Sequence, residues 1–332
     1  MKNNLRREST IGVVGLGLMG SGFVVSLLIS GHRVKAVAPL AEDMETAPDR
    51  IRVQLGQCAE SGLLSAPVDS YLLQLDISTD YRILSTCHMV MECVIEIAEI
   101  KRSVYEEIEA VVEPESIIAS NTSAIPISDL QKYFIHPGRF LGIHVGEPSY
   151  LTRFMEIICG RQTNPDYAMQ VYELAHHWGK EPTLLRKDIR GFITNRLMYA
   201  VYREGLELIE KKKATLEDVD KAFRYDAGSW MTLMGIFRRI DLLGIKDYAE
   251  IFRTVFPELS NNETLPALMK QMVEMHAKGT RNLKGLYHYT EEEAKNWDDA
   301  FTLFNKDIYE LAALYPSGAE NLIRKTSKTG AG

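Results

Sequence analysis

The sequence carries a glycine-rich pattern, Gly15-Leu-Gly-Leu-Met-Gly20, directly after the apolar run Ile11–Val14 and just before an apolar stretch that starts at Phe23. In this G-x-G-x-x-G pattern the first glycine permits a tight turn, the second lets the backbone approach a pyrophosphate, and the third allows close packing of helix on strand. The helix N-terminus then directs N–H groups at the phosphates. The pattern predicts a strand–loop–helix unit that binds a dinucleotide. Its predicted cofactor-binding residues are Gly15, Gly17, Leu18, Met19 and Gly20.

The order of apolar runs predicts the fold class. From Thr10 to about Asp188, short β-branched apolar runs alternate with amphipathic stretches of helical period. Strands that alternate with helices pair in parallel through right-handed crossovers, so this part predicts an α/β, Rossmann-type doubly wound sheet. After Arg190 the stretches are amphipathic and of helix length, and they predict an all-helical C-terminal domain. The predicted domains are a dinucleotide-binding domain over residues 1–189, a helical substrate and dimerisation domain over 190–316, and a polar tail over 317–332.

Individual elements follow from the same patterns. The predicted strands cover residues 11–14, 33–37, 89–95, 116–119 and 140–143. The predicted helices cover residues 21–30, 101–112, 128–133, 192–213, 215–225, 265–277 and 290–313. Thr215-Leu-Glu-Asp218 predicts a capping box at the start of one helix, because the threonine hydroxyl accepts from an otherwise unpaired backbone N–H.

Charge and cysteine content exclude several classes of function. The 332 residues include 38 basic and 45 acidic side chains, a net charge of −7, which argues against nucleic-acid binding because phosphate contact needs a cationic surface. No apolar run approaches the roughly 20 residues of a membrane helix and no secretory signal is recognised, so we expect no membrane partner. We expect no metal site, because the adjacent His176 and His177 point in different directions on a helix. Reduced thiols in a cytoplasmic protein are expected, since no C-x-x-C spacing joins Cys58, Cys87, Cys93 and Cys159.

The second predicted strand lacks the acidic residue that usually binds the adenosine ribose about 20 residues after the glycine pattern. That position falls on Ala38, and Glu42 and Asp43 in the next turn are candidates to replace it. Without a carboxylate the repulsion that excludes a 2′-phosphate is lost, yet no arginine follows the strand directly. We therefore expect NAD as the cofactor, and the sequence leaves NADP open.

Four further motifs follow the glycine pattern in order. They are Ala119-Ser-Asn-Thr-Ser-Ala124, Arg139-Phe-Leu-Gly-Ile-His-Val-Gly-Glu-Pro148, Phe154-Met-Glu-Ile-Ile158 and Gly191-Phe-Ile-Thr-Asn-Arg196. Together they resemble the 3-hydroxyacyl-CoA dehydrogenase family over about residues 10–289, and the run 284–294 is most similar to its lambda-crystallin, gulonate dehydrogenase and carnitine dehydrogenase branch. The resemblance implies an NAD-dependent homodimeric enzyme that oxidises the hydroxyl of an L-3-hydroxyacyl compound or a small free 3-hydroxy acid.

The resemblance implies a catalytic pair, with His144 as the base and Glu156 as its partner. Oxidation of a secondary alcohol removes the O–H proton while hydride leaves carbon, and imidazole suits proton transfer near neutral pH. A carboxylate on the other ring nitrogen fixes the tautomer and stabilises the imidazolium. The alternatives are a strand-end histidine that bonds a backbone carbonyl and a glutamate that faces solvent.

By the same resemblance Ser123 and Asn195 are catalytic and substrate-binding residues. Ser123 follows a predicted parallel strand, at the edge where such sheets bind ligands, and its hydroxyl would hold the substrate oxygen. Asn195 would donate to the same oxygen as charge develops. The alternatives are that Ser123 caps the helix starting near Ile127 and that Asn195 bonds the backbone at a helix junction.

The resemblance places three more residues near the cofactor. Glu96 and Lys101 match family positions on its ribose and nicotinamide side, and Arg281 matches approximately a lysine of the second domain that reaches the cofactor. One position departs from the family, because Glu147 stands where the family has an asparagine three residues after the histidine. A carboxylate there changes the hydrogen bonding near the nicotinamide, so the role of Glu147 is left open.

The positions of lysine and arginine residues indicate which class of substrate the chain binds. A coenzyme A thioester brings phosphates, which the longer acyl-CoA enzymes of the family meet with lysine after the second strand. Residues 39–100 contain no lysine here, and their only arginines are Arg50, Arg52 and Arg82. Where the acyl-CoA enzymes have Gly-Pro-Phe, this chain has Gly235-Ile-Phe followed by Arg238 and Arg239. An arginine fork suits a carboxylate, so we hypothesise a small free 3-hydroxy acid clamped by one of these two, with solvated helix charges as the alternative.

Two other functions fit parts of the pattern. A 6-phosphogluconate or 3-hydroxyisobutyrate type dehydrogenase needs a lysine in a G-x-x-x-K-type helix, and here Lys187 precedes Gly191 instead. A catalytically silent, lambda-crystallin-like nucleotide-binding protein is the other alternative. The joint presence of Ser123, His144, Glu156 and Asn195 argues for catalysis.

Overall fold

A computed structural model describes residues 5–314, which divide into two compact units, one ending at Arg196 and one beginning at Leu197. The predicted class, an α/β sheet followed by helices, is confirmed. The predicted domain limits at residues 189 and 316 stay predictions, and the predicted polar tail over 317–332 lies outside the described residues. Among residues 5–314 no helix combines the length and the apolar character needed to span a membrane.

The first unit is built on one eight-stranded sheet. Its strands are β1 Ile11–Val14, β2 Val34–Val37, β3 Leu75–Ser78, β4 Met89–Glu92, β5 Ile117–Ser120, β6 Phe140–Val145, β7 Phe154–Ile158 and β8 Glu181–Leu185. Their order across the sheet is β3-β2-β1-β4-β5-β6-β7-β8, and all neighbours pair in parallel except β6 and β7, which are antiparallel. The central strands β1, β4, β5 and β6 are buried along their whole length, as expected for strands covered on both faces.

Helices connect the parallel strands of this sheet. They are α1 Leu18–Ile29, α2 Ala41–Glu60, α3 Val68–Leu72, α4 Ala98–Val111, α5 Ile127–Leu130 and α6 Pro165–His177. Successive strand residues enter two different apolar clusters, so that Val13 and Ile117 belong to one and Val14 and Ile118 to the other. The carboxyl ends of β1, β4, β5 and β6 therefore lie at one edge of a rigid, doubly covered sheet, which is where ligands bind in such folds.

The sequence patterns miss the helices over 228–243 and 245–255 of the second unit. In the first unit they miss β3, β7, β8, α2, α3 and α6. No residue of β3 is fully buried, so its apolar signal is weak, and β8 includes Pro182, which is unusual inside a strand. The helix α2 contains Pro48, a residue that normally ends a helical pattern. In these elements packing against the sheet overrides the local signal.

The second unit consists of helices joined by turns within its described residues. They are α7 Thr194–Glu210, which starts in the first unit, α8 Leu216–Ala222, α9 Gly228–Leu243, α10 Ile245–Val255, α11 Ala267–Glu274 and α12 Glu291–Leu314. The capping box predicted at Thr215 is confirmed, because its hydroxyl accepts from the Asp218 N–H at 3.1 Å and the Asp218 carboxylate accepts from the Thr215 N–H at 3.2 Å. The helix α9 bends at Gly235, which has φ 71°.

Candidate active site

The glycine loop has the geometry that a dinucleotide needs. Gly15 has φ 89°, a left-handed conformation that favours glycine, and a Cβ on Gly20 would collide with the Gly15 carbonyl oxygen. A Cβ on Gly17, by contrast, would meet no atom within 4 Å, because the loop borders open space there. Gly17 precedes α1, whose first turn has no side-chain cap and no acidic residue, so its N–H groups are suited to phosphate. Leu18 is exposed and Met19 partly buried beside this cradle, and the residues present fit a bound dinucleotide.

The end of β2 carries no acid, and a cation from α2 reaches the glycine loop instead. Ala38 is fully buried and Glu42 is exposed. Asp43 is partly buried, and its carboxylate lies 3.9 Å from the guanidinium of Arg50, which donates to the carbonyl of Leu16 inside the loop. The sequence predicts no arginine at this strand end, because Arg50 is distant along the chain and α2 brings it back.

His144 and Glu156 are direct cross-strand neighbours. The antiparallel register of β6 and β7 places one opposite the other, so both side chains leave the same face of the sheet. Nδ1 of His144 lies 2.7 Å from Oε2 of Glu156. The Glu156 side chain is fully buried and that of His144 is 10% exposed. Glu156 therefore does not face solvent, and within residues 5–314 the His144 side chain forms no hydrogen bond with a backbone carbonyl.

The second carboxylate oxygen of Glu156 is bound by backbone. Oε1 accepts from the N–H of Ile193 at 2.8 Å and from the N–H of Thr194 at 3.1 Å. N–H groups at a helix start lack partners within the helix, and a buried carboxylate needs donors to offset its lost hydration. The motif Gly191–Arg196 therefore supplies backbone donors to Glu156, a role that its side-chain types do not reveal.

These bonds set the state of the imidazole. A carboxylate only accepts, so Nδ1 of His144 carries the proton shared with Glu156, and Nε2 of the neutral ring has the lone pair. The rings of Phe154 and Phe192 have centroids 5.5 and 5.8 Å from the imidazole and hold it on two sides. No group within residues 5–314 forms a hydrogen bond with Nε2. The arrangement is that of an oriented general base.

Ser123, Asn195 and Glu96 meet in the loop after β5. Nδ2 of Asn195 donates to the backbone carbonyl of Ser123 at 2.8 Å, and the Ser123 N–H donates to Oε1 of Glu96 at 3.1 Å. The same oxygen accepts from the Thr122 hydroxyl. The backbone alternative for Asn195 is thus present, and it uses one of the two amide N–H groups. The capping alternative for Ser123 is not, because α5 has no side-chain cap.

Lys101 lies in a buried charged cluster around Glu92, which no sequence motif predicts. The Glu92 carboxylate accepts from Nζ of Lys101 at 2.8 and 3.1 Å, from the Tyr105 hydroxyl at 2.8 Å and from the Ser120 hydroxyl at 2.6 Å. Nζ also lies 3.3 Å from the carboxylate of Glu96, and the side chains of Glu92 and Lys101 are 0% exposed. The buried ammonium group of Lys101 therefore forms an ion pair with Glu96. A contact of Lys101 with the cofactor stays a prediction. The sequence feature that could have revealed this cluster is Glu92, an acidic residue inside an apolar strand.

Two family models match the chain. The 3-hydroxyacyl-CoA dehydrogenase NAD-binding domain matches residues 10–189, and the 3-hydroxyacyl-CoA dehydrogenase C-terminal domain matches residues 191–289. The chain belongs to the 3-hydroxyacyl-CoA dehydrogenase family. It is an NAD-dependent oxidoreductase, and the resemblance seen in the sequence is confirmed.

Individual relatives of this dehydrogenase share most of its length. The 5-formyl-3-hydroxy-2-methylpyridine 4-carboxylate 5-dehydrogenase of Mesorhizobium japonicum is 29% identical over 287 residues, 86% of this chain and 92% of the relative. The L-carnitine dehydrogenase of Staphylococcus epidermidis is 34% identical over 235 residues, 70% of this chain and 72% of the relative. A solved structure of a 5-formyl-3-hydroxy-2-methylpyridine 4-carboxylic acid 5-dehydrogenase, described as an NAD+-dependent dismutase, matches with a TM-score of 0.84 at 27% identity and covers 92% of this chain and 98% of that one.

In this dehydrogenase a buried lysine holds the loop between β6 and β7. Lys180, only 3% exposed, donates to the carbonyl of Ser149 and, at 2.7 Å, to that of Thr152. Burial lowers the pKa of Lys180 to about 7. The lysine therefore ties down the loop that joins the strands of His144 and Glu156. No motif in the sequence singles it out.

Three predicted arginines of the dehydrogenase lie in its second unit. Arg238 and Arg239 follow the bend at Gly235 in α9. Arg238 is exposed, and the Arg239 guanidinium lies 4.9 Å from the centre of the Trp230 ring. Arg281 is exposed in the turn between α11 and α12. Their roles toward substrate and cofactor stay predictions.

The remaining residues singled out in the sequence lie in the loop after β6 and at the end of α6. Glu147 is exposed in the loop between β6 and β7, and its role stays open. His176 and His177 end α6, where His176 is exposed and the ring of His177 lies 5.8 Å from that of His32. In the part of the chain that the structure describes, no three His, Cys, Asp or Glu side chains are grouped to hold a metal ion.

Proposed function

We propose that this dehydrogenase oxidises the secondary hydroxyl of a small, free L-3-hydroxy acid to a ketone. The observation that carries the proposal is the 2.7 Å contact between Nδ1 of His144 and the buried carboxylate of Glu156. His144 lies near the carboxyl end of β6 and Ser123 follows β5, at the sheet edge where the glycine loop follows β1. A base and a dinucleotide cradle at one edge of a parallel sheet support alcohol oxidation.

Each residue then has a defined task. The glycine loop would hold NAD, which would supply the acceptor for the hydride that leaves the carbon bearing the hydroxyl. Nε2 of His144 takes the hydroxyl proton, and Glu156, as a positioning residue, stabilises the imidazolium that forms. The Ser123 hydroxyl and the second N–H of the Asn195 amide hold the substrate oxygen while the carbonyl forms.

The cations after β2 favour a free acid over a coenzyme A thioester. Arg52 and Arg82 are each bound to an aspartate, at 2.7 Å in both pairs, and Arg50 is directed at the glycine loop. At Arg52 and Arg82, the phosphates of a coenzyme A tail would have to compete with the aspartates already bound there.

We propose Arg238 or Arg239 as the clamp for the substrate carboxylate, because the guanidinium fork binds a carboxylate with two parallel hydrogen bonds. Alanine at the clamping position should raise KM for small 3-hydroxy acids by about tenfold or more and leave KM unchanged for the corresponding amide. Arg253, bound to Glu250 on α10, is a matched control whose alanine variant should behave as wild type. An unchanged KM in both Arg238→Ala and Arg239→Ala would discard the clamp.

A substrate screen tests the function as a whole. The purified chain is mixed with NAD and with either 3-hydroxyacyl thioesters or free acids such as gulonate, carnitine and 3-hydroxybutyrate, and NADH absorbance is followed. We expect turnover of a free acid that His144→Asn abolishes and His136→Asn, at an exposed histidine, leaves intact. Turnover of thioesters only would refute the substrate class, and no turnover of either would refute the reaction.

We propose that the enzyme is a homodimer joined through its helical unit. Among residues 197–314 whose side chains are described, only Ala294 is buried. Large apolar side chains are instead exposed there, among them Phe237, Leu242, Ile245, Trp297, Phe301 and Phe304. Many large apolar side chains exposed on one unit are typical of a protein that associates with a partner. Light scattering after size exclusion should give twice the chain mass, and a monomer at micromolar concentration would contradict the proposal.

We propose a cytoplasmic location on the basis of the cysteines. All four are free, and burial raises the pKa of Cys58 and of Cys87 to about 12, so these thiols are unreactive structural groups. Fractionation of the source cells with an antibody against the chain would test this location, and recovery from a membrane or extracellular fraction would contradict it.

A further inference from the structure

The adenosine end of the dinucleotide site departs from the usual NAD pattern. An acidic residue at the end of the second strand normally binds the ribose hydroxyls and repels a 2′-phosphate, whereas an arginine nearby accepts that phosphate. Here the position is Ala38, which is fully buried and whose N–H donates to the carbonyl of Ser78. The strand end therefore offers the ribose neither a side-chain hydrogen bond nor a negative charge.

Arg50 on α2 brings a guanidinium to this place. It donates to the carbonyl of Leu16, to the Ser21 hydroxyl at 3.4 Å and to the Thr46 hydroxyl at 3.1 Å. These bonds use at most three of its five N–H groups, and the side chain is 31% exposed. At least two donors thus have no partner in residues 5–314, while the group itself is held in position.

The register of β1 and β2 shows how close Leu16 is to the end of β2. Val14 pairs with Val37, and the N–H of Gly15 donates to the Val37 carbonyl at 2.9 Å. Leu16 follows Gly15 and Ala38 follows Val37, so both lie just beyond the point where the two strands end. The guanidinium bound to the Leu16 carbonyl therefore lies at the strand ends where this fold binds the adenosine ribose.

Asp43 leaves this cation available. Its carboxylate lies 3.9 Å from the Arg50 guanidinium, at the limit of an ion pair, and no hydrogen bond joins these two side chains. A partly exposed pair at that distance is weak and competes poorly with a phosphate for the free N–H groups.

We propose that Arg50 makes this dehydrogenase accept both cofactor forms, with NADPH bound within about tenfold of NADH because the Arg50 fork binds the 2′-phosphate. The inference rests on the dinucleotide site of the first unit and not on the identity of the substrate. The sequence has no arginine directly after the second strand to bind a 2′-phosphate, and in this proposal Arg50 of α2 takes that place.

Titration of the purified full chain with NADH and with NADPH, followed by nucleotide fluorescence, gives both dissociation constants without any substrate. Arg50→Gln should weaken NADPH by about tenfold or more and NADH by less than about threefold, since only the phosphate contact is lost. The Leu16 carbonyl keeps its hydrogen bond from Ser21 at 2.8 Å, so the variant leaves no acceptor unpaired and should melt as wild type. Arg52→Gln, at a second arginine of α2, is the matched control and should change neither constant.

Ala38→Asp supplies the missing carboxylate and should weaken NADPH by about a hundredfold relative to NADH. NADPH binding to the wild-type chain more than about tenfold weaker than NADH would overturn the proposal, as would an equal loss of both cofactors in Arg50→Gln. Failure to oxidise any 3-hydroxy acid would refute the proposed function but leave these titrations standing, so the two failures are distinguishable.

Discussion

Glu156→Gln changes one oxygen of the proposed His–Glu pair into an N–H donor and keeps the size of the side chain. In the wild-type chain one oxygen accepts from Nδ1 of His144 and the other accepts from the N–H groups of Ile193 and Thr194. A glutamine has a single oxygen for these two directions. The variant must therefore lose either the hydrogen bonds from Ile193 and Thr194 or the hydrogen bond that Nδ1 of His144 donates.

The magnitudes decide which orientation the glutamine takes. If the amide nitrogen faced Ile193 and Thr194, two backbone donors would be left buried and unpaired, at about 1–3 kcal/mol each. If it faces His144 instead, the imidazole changes tautomer, so that Nδ1 accepts and Nε2 carries the hydrogen, at a smaller cost. The second orientation wins and removes the lone pair that would take the substrate proton. We expect kcat/KM to fall by about 10²–10⁴-fold, the usual contribution of a general base, with little change in stability.

Steady-state NAD reduction on the substrate found by the screen, with a pH profile and a thermal melt, measures both effects. Glu181→Gln, at an exposed glutamate on the neighbouring strand β8, is the matched control and should keep full activity. A Glu156→Gln enzyme that retains more than about a tenth of kcat/KM with an unchanged pH profile would refute the reasoning.

Three further predictions concern stability and cofactor binding. Burial lowers the pKa of Lys180 to about 7, so above that pH the unfolded chain binds more protons than the folded one. The unfolding free energy of the wild-type chain should therefore rise relative to that of Lys180→Met, by about 1 kcal/mol per pH unit up to about pH 9. Parallel pH curves of the two proteins in urea unfolding would contradict this. Gly17→Ala should weaken NADH binding by about tenfold or more without lowering the melting temperature, whereas Gly20→Ala should lower the melting temperature. An equal fall in melting temperature for the two variants would show that Gly17 does not border the cofactor. Glu92→Leu should cost about 3 kcal/mol of unfolding free energy, because Lys101 is left as a buried unpaired charge, and addition of Lys101→Met should recover part of it; additive losses in urea unfolding would contradict the pairing.

Predictions that rest on local chemistry agree with the structure. The glycine loop is such a case, because a left-handed turn at Gly15 and the close contact at Gly20 both require glycine whatever surrounds them. The capping box at Thr215 is another, since its two hydrogen bonds join residues three apart. The proximity of His144 and Glu156 follows from the family resemblance, and the structure gives its cause in an antiparallel register.

The sequence patterns missed the polar groups whose hydrogen-bond partners lie far away along the chain. Glu92 meets Ser120 across β4 and β5, and Lys180 reaches back to the loop that carries Ser149. Arg50 returns to the glycine loop only because α2 folds back on the sheet. In each case the partner is selected by strand order and helix packing, which no spacing along the chain encodes.

By itself the sequence determined the layered α/β class, the dinucleotide loop and the residue types available for proton transfer, because periodicity and glycine geometry act within a few residues. Only the tertiary structure decided which atoms pair: that Glu156 divides its oxygens between an imidazole and two backbone N–H groups, and that a guanidinium from α2 bonds a carbonyl of the glycine loop. The physical reason is that a buried charge must find its partners wherever the packed chain brings them, and the order of the strands sets those partners.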